Sequence, residues 1–316
     1  MTGPRTPTVT AVIAAYQAEE WIAEAIEAIL AQTHPADQIV VVNDGSTDGT
    51  ARELARFGDR ITVVDQANAG CPAAFNSAFA AATSDYVALC GADDVWEPEK
   101  LAWQVDALRR HPAVDVLFGD AQIFGLTEGT YATPPGTGVL DSDELRRALF
   151  RENLICAPSV MIRRALFERL GPFVVDFGAD DYEYWMRCLR AGATFFFDDR
   201  VLLRYRRHES NLSSGLLWMQ RCSHDVHRWY ATDVDGELAQ RVLAGDLFKI
   251  GRHLVDEGEP DQARIAFRAS LSHRFSVRAL AWTSLLQLPP AARDGTGTAF
   301  VRLSRRLEAI GCGPPA

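Results

Sequence analysis

The sequence predicts an α/β fold, with a mostly parallel central sheet covered by helices on both faces and a helical region toward the C-terminus. Three observations carry that expectation. Short β-branched runs alternate with amphipathic helical segments through the first third of the chain. These runs are apolar at nearly every position, not at every second one, as strands buried on both faces are. Polar signatures follow directly after the runs, where open parallel sheets bind their ligands.

Residues 8–15 form the first apolar run, and residues 19–32 follow as a helix with Trp21, Ile22, Ala25, Ile26, Ile29 and Leu30 on one face. The strand signature recurs at 39–42, 61–64, 86–89 and 114–118, with helix-compatible segments at 47–57, 73–82 and 98–110. Right-handed crossovers are the expected connections. From 119 to 138 the pattern lapses into a Gly, Thr and Pro-rich loop, after which a helix at 142–150 and a strand at 159–162 resume. Residues 181–190 read as a helix stopped at Ala191-Gly192, then 194–197 and 201–205 as two short strands. Beyond residue 211 the chain reads as helical, and 246–271 resembles one tetratricopeptide-like helix pair. One unit is fewer than the three or so such arrays need, so the pair reads as a packing appendage. The amphipathic stretch 275–288 is expected to bury its apolar face in the core, with contact to a membrane or partner as the other reading.

At 316 residues, 47% hydrophobic and 23% charged, the chain can bury a large core in one large domain with an appendage. A formal net charge of -10 argues against a nucleic-acid partner. No apolar run approaches the roughly 20 residues that span a bilayer, and the first seven residues lack a signal-peptide core. The expected location is cytoplasmic. Cys71, Cys90, Cys156, Cys188, Cys222 and Cys312 are scattered without close pairs, which points to small core hydrophobes and not to disulfides or a zinc site.

Two acidic segments stand at strand ends. In Val41-Val-Asn-Asp-Gly-Ser-Thr-Asp-Gly-Thr50, Asp44 faces outward before a turn and a helix start, with helix capping by Asp44 and Ser46 as the plainer reading. In Leu89-Cys-Gly-Ala-Asp-Asp-Val-Trp-Glu-Pro-Glu-Lys-Leu101, Asp93 and Asp94 follow a buried strand directly; hard oxygen ligands there suit Mg2+ or Mn2+ together with phosphate oxygens, and a simple turn is the alternative. His224 and His227 lie one helical turn apart with no acid or Cys nearby in sequence, and read as surface residues. After the first strand, Ala14-Ala-Tyr-Gln-Ala-Glu19 lacks Gly-x-Gly-x-x-Gly, which disfavours a dinucleotide-dependent dehydrogenase.

In this order and spacing the segments resemble the inverting glycosyltransferases of family 2, with the GT-A fold, over residues 7–213. Ala11-Val-Ile-Ala-Ala-Tyr-Gln17 matches the opening strand, where the family usually has Pro at Ala14 and Asn at Gln17. Val42-Asn-Asp-Gly-Ser-Thr-Asp48 matches the nucleotide-binding turn. Gln66-Ala-Asn-Ala-Gly-Cys-Pro-Ala-Ala-Phe-Asn76 matches the next loop and helix, with Phe75 where an Arg is common. The metal-binding segment is matched through Asp93, Asp94, Trp96, Pro98, Lys100 and Leu101, with Gly91 in place of the first acid of Asp-x-Asp. Gly178-Ala-Asp-Asp-Tyr-Glu-Tyr-Trp-Met-Arg187 is similar to the family's acidic pair at a helix start, and Tyr205-Arg-Arg-His-Glu-Ser-Asn-Leu-Ser213 to its Tyr-Arg-x-His-x-x-Asn-x-Ser element.

The resemblance implies a GT-A domain at 1–213, with a nucleotide-sugar half at 1–120, an acceptor half at 121–213, and a helical region at 214–316. It implies Asp181 as catalytic base, with Asp180 and Trp185 on the acceptor side. Donor contacts fall on Ala14, Tyr16, Asp44, Gly45, Asn68, Asn76 and Asp93, and metal ligation on Asp93, Asp94 and His208. The implied reaction is single-displacement, inverting transfer from a nucleoside diphosphate sugar, with UDP preferred, to a saccharide, lipid-linked or other hydroxyl acceptor, assisted by Mn2+ or Mg2+. A place in polysaccharide biosynthesis, in the cytoplasm or at the inner face of the membrane by peripheral contact, fits that chemistry. The departures at Gly91 and Phe75 support one alternative, a non-catalytic relative that binds a nucleotide sugar or a protein.

Overall fold

The computed structural model describes residues 5–131, 136–175, 177–209, 211 and 215–287. The chain divides into two compact units, Met1–Ser214 and Gly215–Ala316. The first contains, in order, β1 (Val9–Ala15), α1 (Ile22–Leu30), β2 (Gln38–Asp44), α2 (Thr50–Ala55), β3 (Thr62–Gln66), α3 (Cys71–Ala81), β4 (Tyr86–Gly91), β5 (Val95–Trp96), α4 (Lys100–Arg110), β6 (Val116–Gly125), β7 (Gly129–Thr130), β8 (Gly138–Val139), α5 (Ser142–Leu149), β9 (Met161–Arg163), α6 (Arg164–Leu170), α7 (Asp180–Arg190) and β10 (Phe195–Arg207).

The ten described strands form one sheet in the order β3-β2-β1-β4-β9-β6-β10-β5, with β7 on β6 and β8 on β10. The pairs β3-β2, β2-β1, β1-β4 and β6-β10 are parallel, whereas β9 runs antiparallel between β4 and β6, and β5, β7 and β8 also pair antiparallel. β1 explains the parallel half. Val9, Ala11, Ile13 and Ala15 pack with Ile22, Ala25, Ile26 and Ile29 of α1 in one core, while the alternate Val12, also wholly buried, faces the other side. In register, Ala14 lies beside Gly91, Ala15 beside Asn43, and Asp44 beside Gln66. The carboxyl ends of β1, β2 and β4 thus finish at one edge.

Three readings of the sequence are corrected here. Residues 119–125 are not loop but the second half of β6, its polar positions supported along their length by β10. The two short strands at 194–197 and 201–205 are one strand, β10, whose register shifts around Asp198 to Leu203 produce the break in the apolar pattern. Trp21 leaves the apolar face of α1 and is only half-buried.

The turns after β1 and β2 are stitched together. Gln17, at φ 50°, accepts through Oε1 from the backbone N–H of Thr47 (2.7 Å) and Asp48 (3.2 Å), and Ala18 N–H donates to Thr50 Oγ1 at 2.8 Å. Gly45 closes this corner at φ 70°, and a Cβ there would stand 2.6 Å from the backbone N of Asn68.

In the second unit, α8 (Leu216–Tyr230), α9 (Gly236–Asp256), α10 (Pro260–His273) and α11 (Val277–Leu285) follow one another. Gly251 has no side chain because the Phe267 ring occupies that space, 2.7 Å from an added Cβ, and Phe267 in turn stacks on Trp282 at 5.7 Å. Along residues 275–287, Ala279 and Trp282 are buried as expected, but Phe275, Val277 and Leu280 are exposed. His224 and His227 are not surface residues: their Nδ1 atoms lie 3.3 and 2.6 Å from Asp246 Oδ2, and His227 and Asp246 are buried. Burial pushes the Asp246 carboxyl up, but the bonds from both histidines outweigh it and hold the group below the usual carboxylate range. Among the described residues no helix is long and apolar enough to cross a membrane. Cys71, Cys90, Cys156, Cys188 and Cys222 are free thiols; Cys312 lies outside the described residues.

Because Gly45 combines a left-handed backbone with a close approach to Asn68, Gly45→Ala is expected to destabilise the chain by about 2 kcal/mol, as for other substitutions that clash with a positive φ. Urea unfolding followed by circular dichroism measures it, and an unchanged midpoint would refute the account.

Candidate functional site

The site is built where β4 ends. Asp93 is about a quarter exposed, and its Oδ2 lies 2.8 Å from His208 Nε2 and accepts from Asn211 Nδ2 at 3.1 Å. His208 arrives from the segment after β10, 115 residues away, and Asn211 Oδ1 accepts from its backbone N–H at 2.7 Å. Arg206 donates through Nε to the Asp93 carbonyl (2.8 Å) and through its backbone N–H to Asp94 Oδ1 (3.0 Å). The first turn of α1 closes the back of this network: the Trp21 ring stacks on the His208 imidazole at 4.1 Å and 25°, and Glu24 pairs with Arg206.

Asp94 is placed differently from its neighbour. It is 1% exposed, and Oδ2 is buried with no hydrogen-bond partner. Burial first, then the Asp93 charge, raise its pKa well above the usual carboxylate range. A Cβ on Gly91 would stand 2.4 Å from that Oδ2 and 2.9 Å from Asp93 Oδ1. The space that a first acid needs is therefore filled by the carboxylates that follow it. Of the expected ligand trio, Asp93 and His208 meet here, whereas Asp94 turns under Gly91. Among the described residues no group of three or more His, Cys, Asp and Glu is arranged to hold a metal ion.

Asp44 is buried at the end of β2, and its carboxylate takes three donors: Gln66 Nε2 at 2.7 Å, Ala69 N–H at 2.9 Å and Gly70 N–H at 2.9 Å. It secures the loop that leads into α3. Asn76, on α3, is similarly committed, exchanging two hydrogen bonds with the backbone of Phe173 at 3.0 and 2.8 Å; Phe75 faces Phe173 as well, with ring centroids 6.3 Å apart. Ala14 is partly exposed, and Tyr16 (53% exposed) and Asn68 are open to solvent.

Asp180 and Asp181 begin α7, where Glu183 adds a third acid to the first turn and the helix N-terminus favours negative charge. Asp181 accepts from Tyr182 N–H at 2.6 Å and from Asn153 Nδ2 at 3.3 Å. Burial, then the Asp181 charge, push Asp180 up to about 8, and burial raises Asp181 as well. Trp185, expected beside the acceptor, is instead wholly buried with Nε1 unpartnered; four residues after Asp181 on a helix that packs its apolar face inward, it belongs to the core.

Cys71 joins the two halves. This half-buried residue opens α3, and its thiol is raised well above the usual range by burial and then by the charges of Asp180, Asp181, Asp44 and Asp93. Acids from β2, the end of β4 and α7 are therefore all near enough for their charges to act on this thiol. The sequence reading missed Cys71, Asn153 and the role of Trp21. Cys71 and Asn153 carry no spacing signal, and Trp21 was hidden by helical periodicity.

A family model described as glycosyl transferase family 2 matches residues 10–171. The chain is 29% identical over 216 residues to an uncharacterized glycosyltransferase of Rickettsia typhi, covering 67% of each chain. It is 33% identical over 172 residues to another from Nostoc sp., covering 52% of this chain and 53% of that one. Among solved structures, S. aureus TarS in complex with UDP-GlcNAc is similar at a TM-score of 0.66 and 18% identity, covering 88% of this chain and 86% of that one. The mannosyltransferase PcManGT from Pyrobaculum calidifontis, in complex with GDP-Man and Mn2+, is similar at 0.55 and 20% identity, covering 97% and 88%. These likenesses establish the fold as GT-A.

Two expectations follow from the acids. An acid whose folded pKa is raised keeps its proton where the unfolded chain has lost it, so Asp180 costs stability as pH rises from about 4, with the full cost reached above about 8. Asp180→Asn should therefore melt higher than the parent chain at pH 9, by a margin that closes toward pH 4; an equal offset at both ends would count against the buried pair. Gly91→Asp should lower unfolding free energy by about 1–3 kcal/mol through overpacking without tightening a cation, and a stabilised variant with higher metal affinity would overturn that.

Proposed function

The chain belongs to glycosyl transferase family 2, and from that premise we propose that it moves a sugar from a nucleoside diphosphate sugar to a hydroxyl acceptor by a single, inverting displacement with Mn2+ or Mg2+ bound. The observation that carries this reading is the accessible Asp93 carboxylate at the end of β4 with His208 Nε2 drawn onto it at 2.8 Å, and the charges of Asp44, Asp180 and Asp181 reach the same start of α3. Structures similar to this chain hold UDP-GlcNAc in one case and GDP-Man with Mn2+ in the other, which supports the donor and cation classes.

The residues fit a hard divalent cation. Asp93 is an accessible carboxylate beside an imidazole nitrogen, and magnesium-like ions are commonly held by one or two carboxylates with waters and substrate phosphates completing the shell. Asp93 and His208 are the proposed holders, with Asp94 buttressing them from below. When bound, the cation neutralises charge on the departing diphosphate.

The remaining roles belong to this chain's own groups. Asp181, oriented by Tyr182 N–H and Asn153, is proposed to take the acceptor hydroxyl proton as that oxygen attacks the anomeric carbon opposite the diphosphate. Asp180, with its carboxyl near 8, supplies a neutral neighbour that lets Asp181 carry the pair's charge. Tyr16 and Asn68, open at the ends of β1 and β3, are proposed to meet the nucleoside together with Ala14 and Gly45. Asp44 and Asn76 shape the cleft by holding loops.

A positioned base contributes about 10²- to 10⁴-fold, so Asp181→Asn should lose turnover on that scale in a donor-consumption assay and bind donor nearly as before. Asp93→Ala should abolish the Mn2+-dependent thermal stabilisation by UDP or GDP. Collapse of donor affinity in Asp181→Asn would move that residue to the donor side, and an unchanged thermal shift in Asp93→Ala would remove Asp93 from the cation site.

A further inference from the structure

The first turn of α1 is oddly made for a helix start. Trp21 occupies the cap position and makes no side-chain capping bond, although Ser, Asp or Asn there typically stabilises a helix by about 1 kcal/mol over a non-capping residue. Nor does its ring serve the core beneath α1, which Ile22, Ala25, Ile26 and Ile29 fill. The ring is spent on His208 instead, at 4.1 Å and 25°.

One turn on, Glu24 pairs with Arg206. Two contacts from a single helical turn thus hold the end of β10 and the residues just past it, and these hold both acids: Arg206 binds the Asp93 carbonyl and the Asp94 carboxylate, and His208 meets Asp93 Oδ2.

We propose that Trp21 is a positioning residue which, by stacking on His208, fixes the imidazole against Asp93 and sets how tightly the site holds its divalent cation. The inference rests on the donor-site reading above. An imidazole ring on a single χ2 axis sweeps its Nε2 away from Asp93 when it turns, and a flat partner on one face restricts that turn. The electron-rich indole face also favours an imidazole made electron-poor by a proton or a metal ion. Groups that orient a ligand from outside the coordination sphere typically account for about 10- to 100-fold in metal affinity.

Trp21→Leu and Trp21→Phe separate stacking from filling, since both keep an apolar side chain but only Phe keeps a ring face. In the full-length chain, Mn2+ would be titrated at fixed UDP, and again at fixed GDP, with Mn2+ binding read by electron paramagnetic resonance. Trp21→Leu should raise the Mn2+ concentration for half-saturation by about 10- to 100-fold, whereas Trp21→Phe stays close to the parent. Glu24→Gln, at an exposed position, should weaken Mn2+ in the same direction through Arg206 and can be read even if Trp21→Leu folds poorly. Equal Mn2+ binding by the Leu and Phe variants and the parent, with both folded, overturns the positioning role. A parent chain that binds no Mn2+ with either nucleotide, or binds it as well after Asp93→Ala, overturns the donor-site reading and the clamp with it.

Discussion

The contact between Asp93 and His208 is the constraint on which the rest of the site depends. It joins two chain segments 115 residues apart, one at the carboxyl end of a parallel strand and one just past the end of the sheet's longest strand. A parallel sheet delivers polar residues to its carboxyl edge without extra machinery, but it does not bring the tail of β10 to that edge. Arg206, donating from its backbone and its guanidinium, and Asn211, donating from its side-chain amide, do this by bonding to the two acids, and β5 helps from below by pairing antiparallel with β10 just after Asp94.

Putting many carboxylates at one edge raises an electrostatic problem, and the chain meets it in three ways. Asp44 is buried and saturated with three donors, the arrangement in which a buried anion is least costly. Asp93 keeps partial exposure and an imidazole partner. Asp94, Asp180 and Asp181 are crowded and desolvated, so they titrate upward. Desolvation in this last group raises carboxylates toward proton chemistry, up to about 8 at Asp180, whereas hydrogen bonding at Asp44 fixes architecture.

The strands of the first half were legible because burial on both faces leaves an unbroken apolar record, as in β1, β2 and β4. Where that record was broken, it misled. Asp120 and Gln122 sit on β6 opposite β10 and read as loop, since only the partner strand makes polar residues at those positions tolerable. Asp198 to Arg200 marked a bulge, not a gap. Acids adjacent in sequence stand out as pairs, and Asp93-Asp94 and Asp180-Asp181 were picked out as such. Pairings made at long range were not. His224 and His227 meet Asp246 on the next helix, and no local pattern on α8 declares that carboxylate.

Adjacency in sequence also overstated function. Trp185 was drawn into the site by its place in the motif with Asp181; four residues on, a helix puts it on the same face about 40° round, and there it is wholly buried whereas Asp181 is only partly so. The two side chains lie on neighbouring lines of one helix and serve opposite purposes. Asp181 points where its backbone and Asn153 bonds hold it, and Trp185 packs edge-on to Tyr184. The base proposed at Asp181 has to be held to a fraction of an ångström to be useful, and two hydrogen bonds at a helix start hold that carboxylate. Trp185, wholly buried and with Nε1 unpartnered, sits in the core one turn along from Asp181 and has no face open to an acceptor.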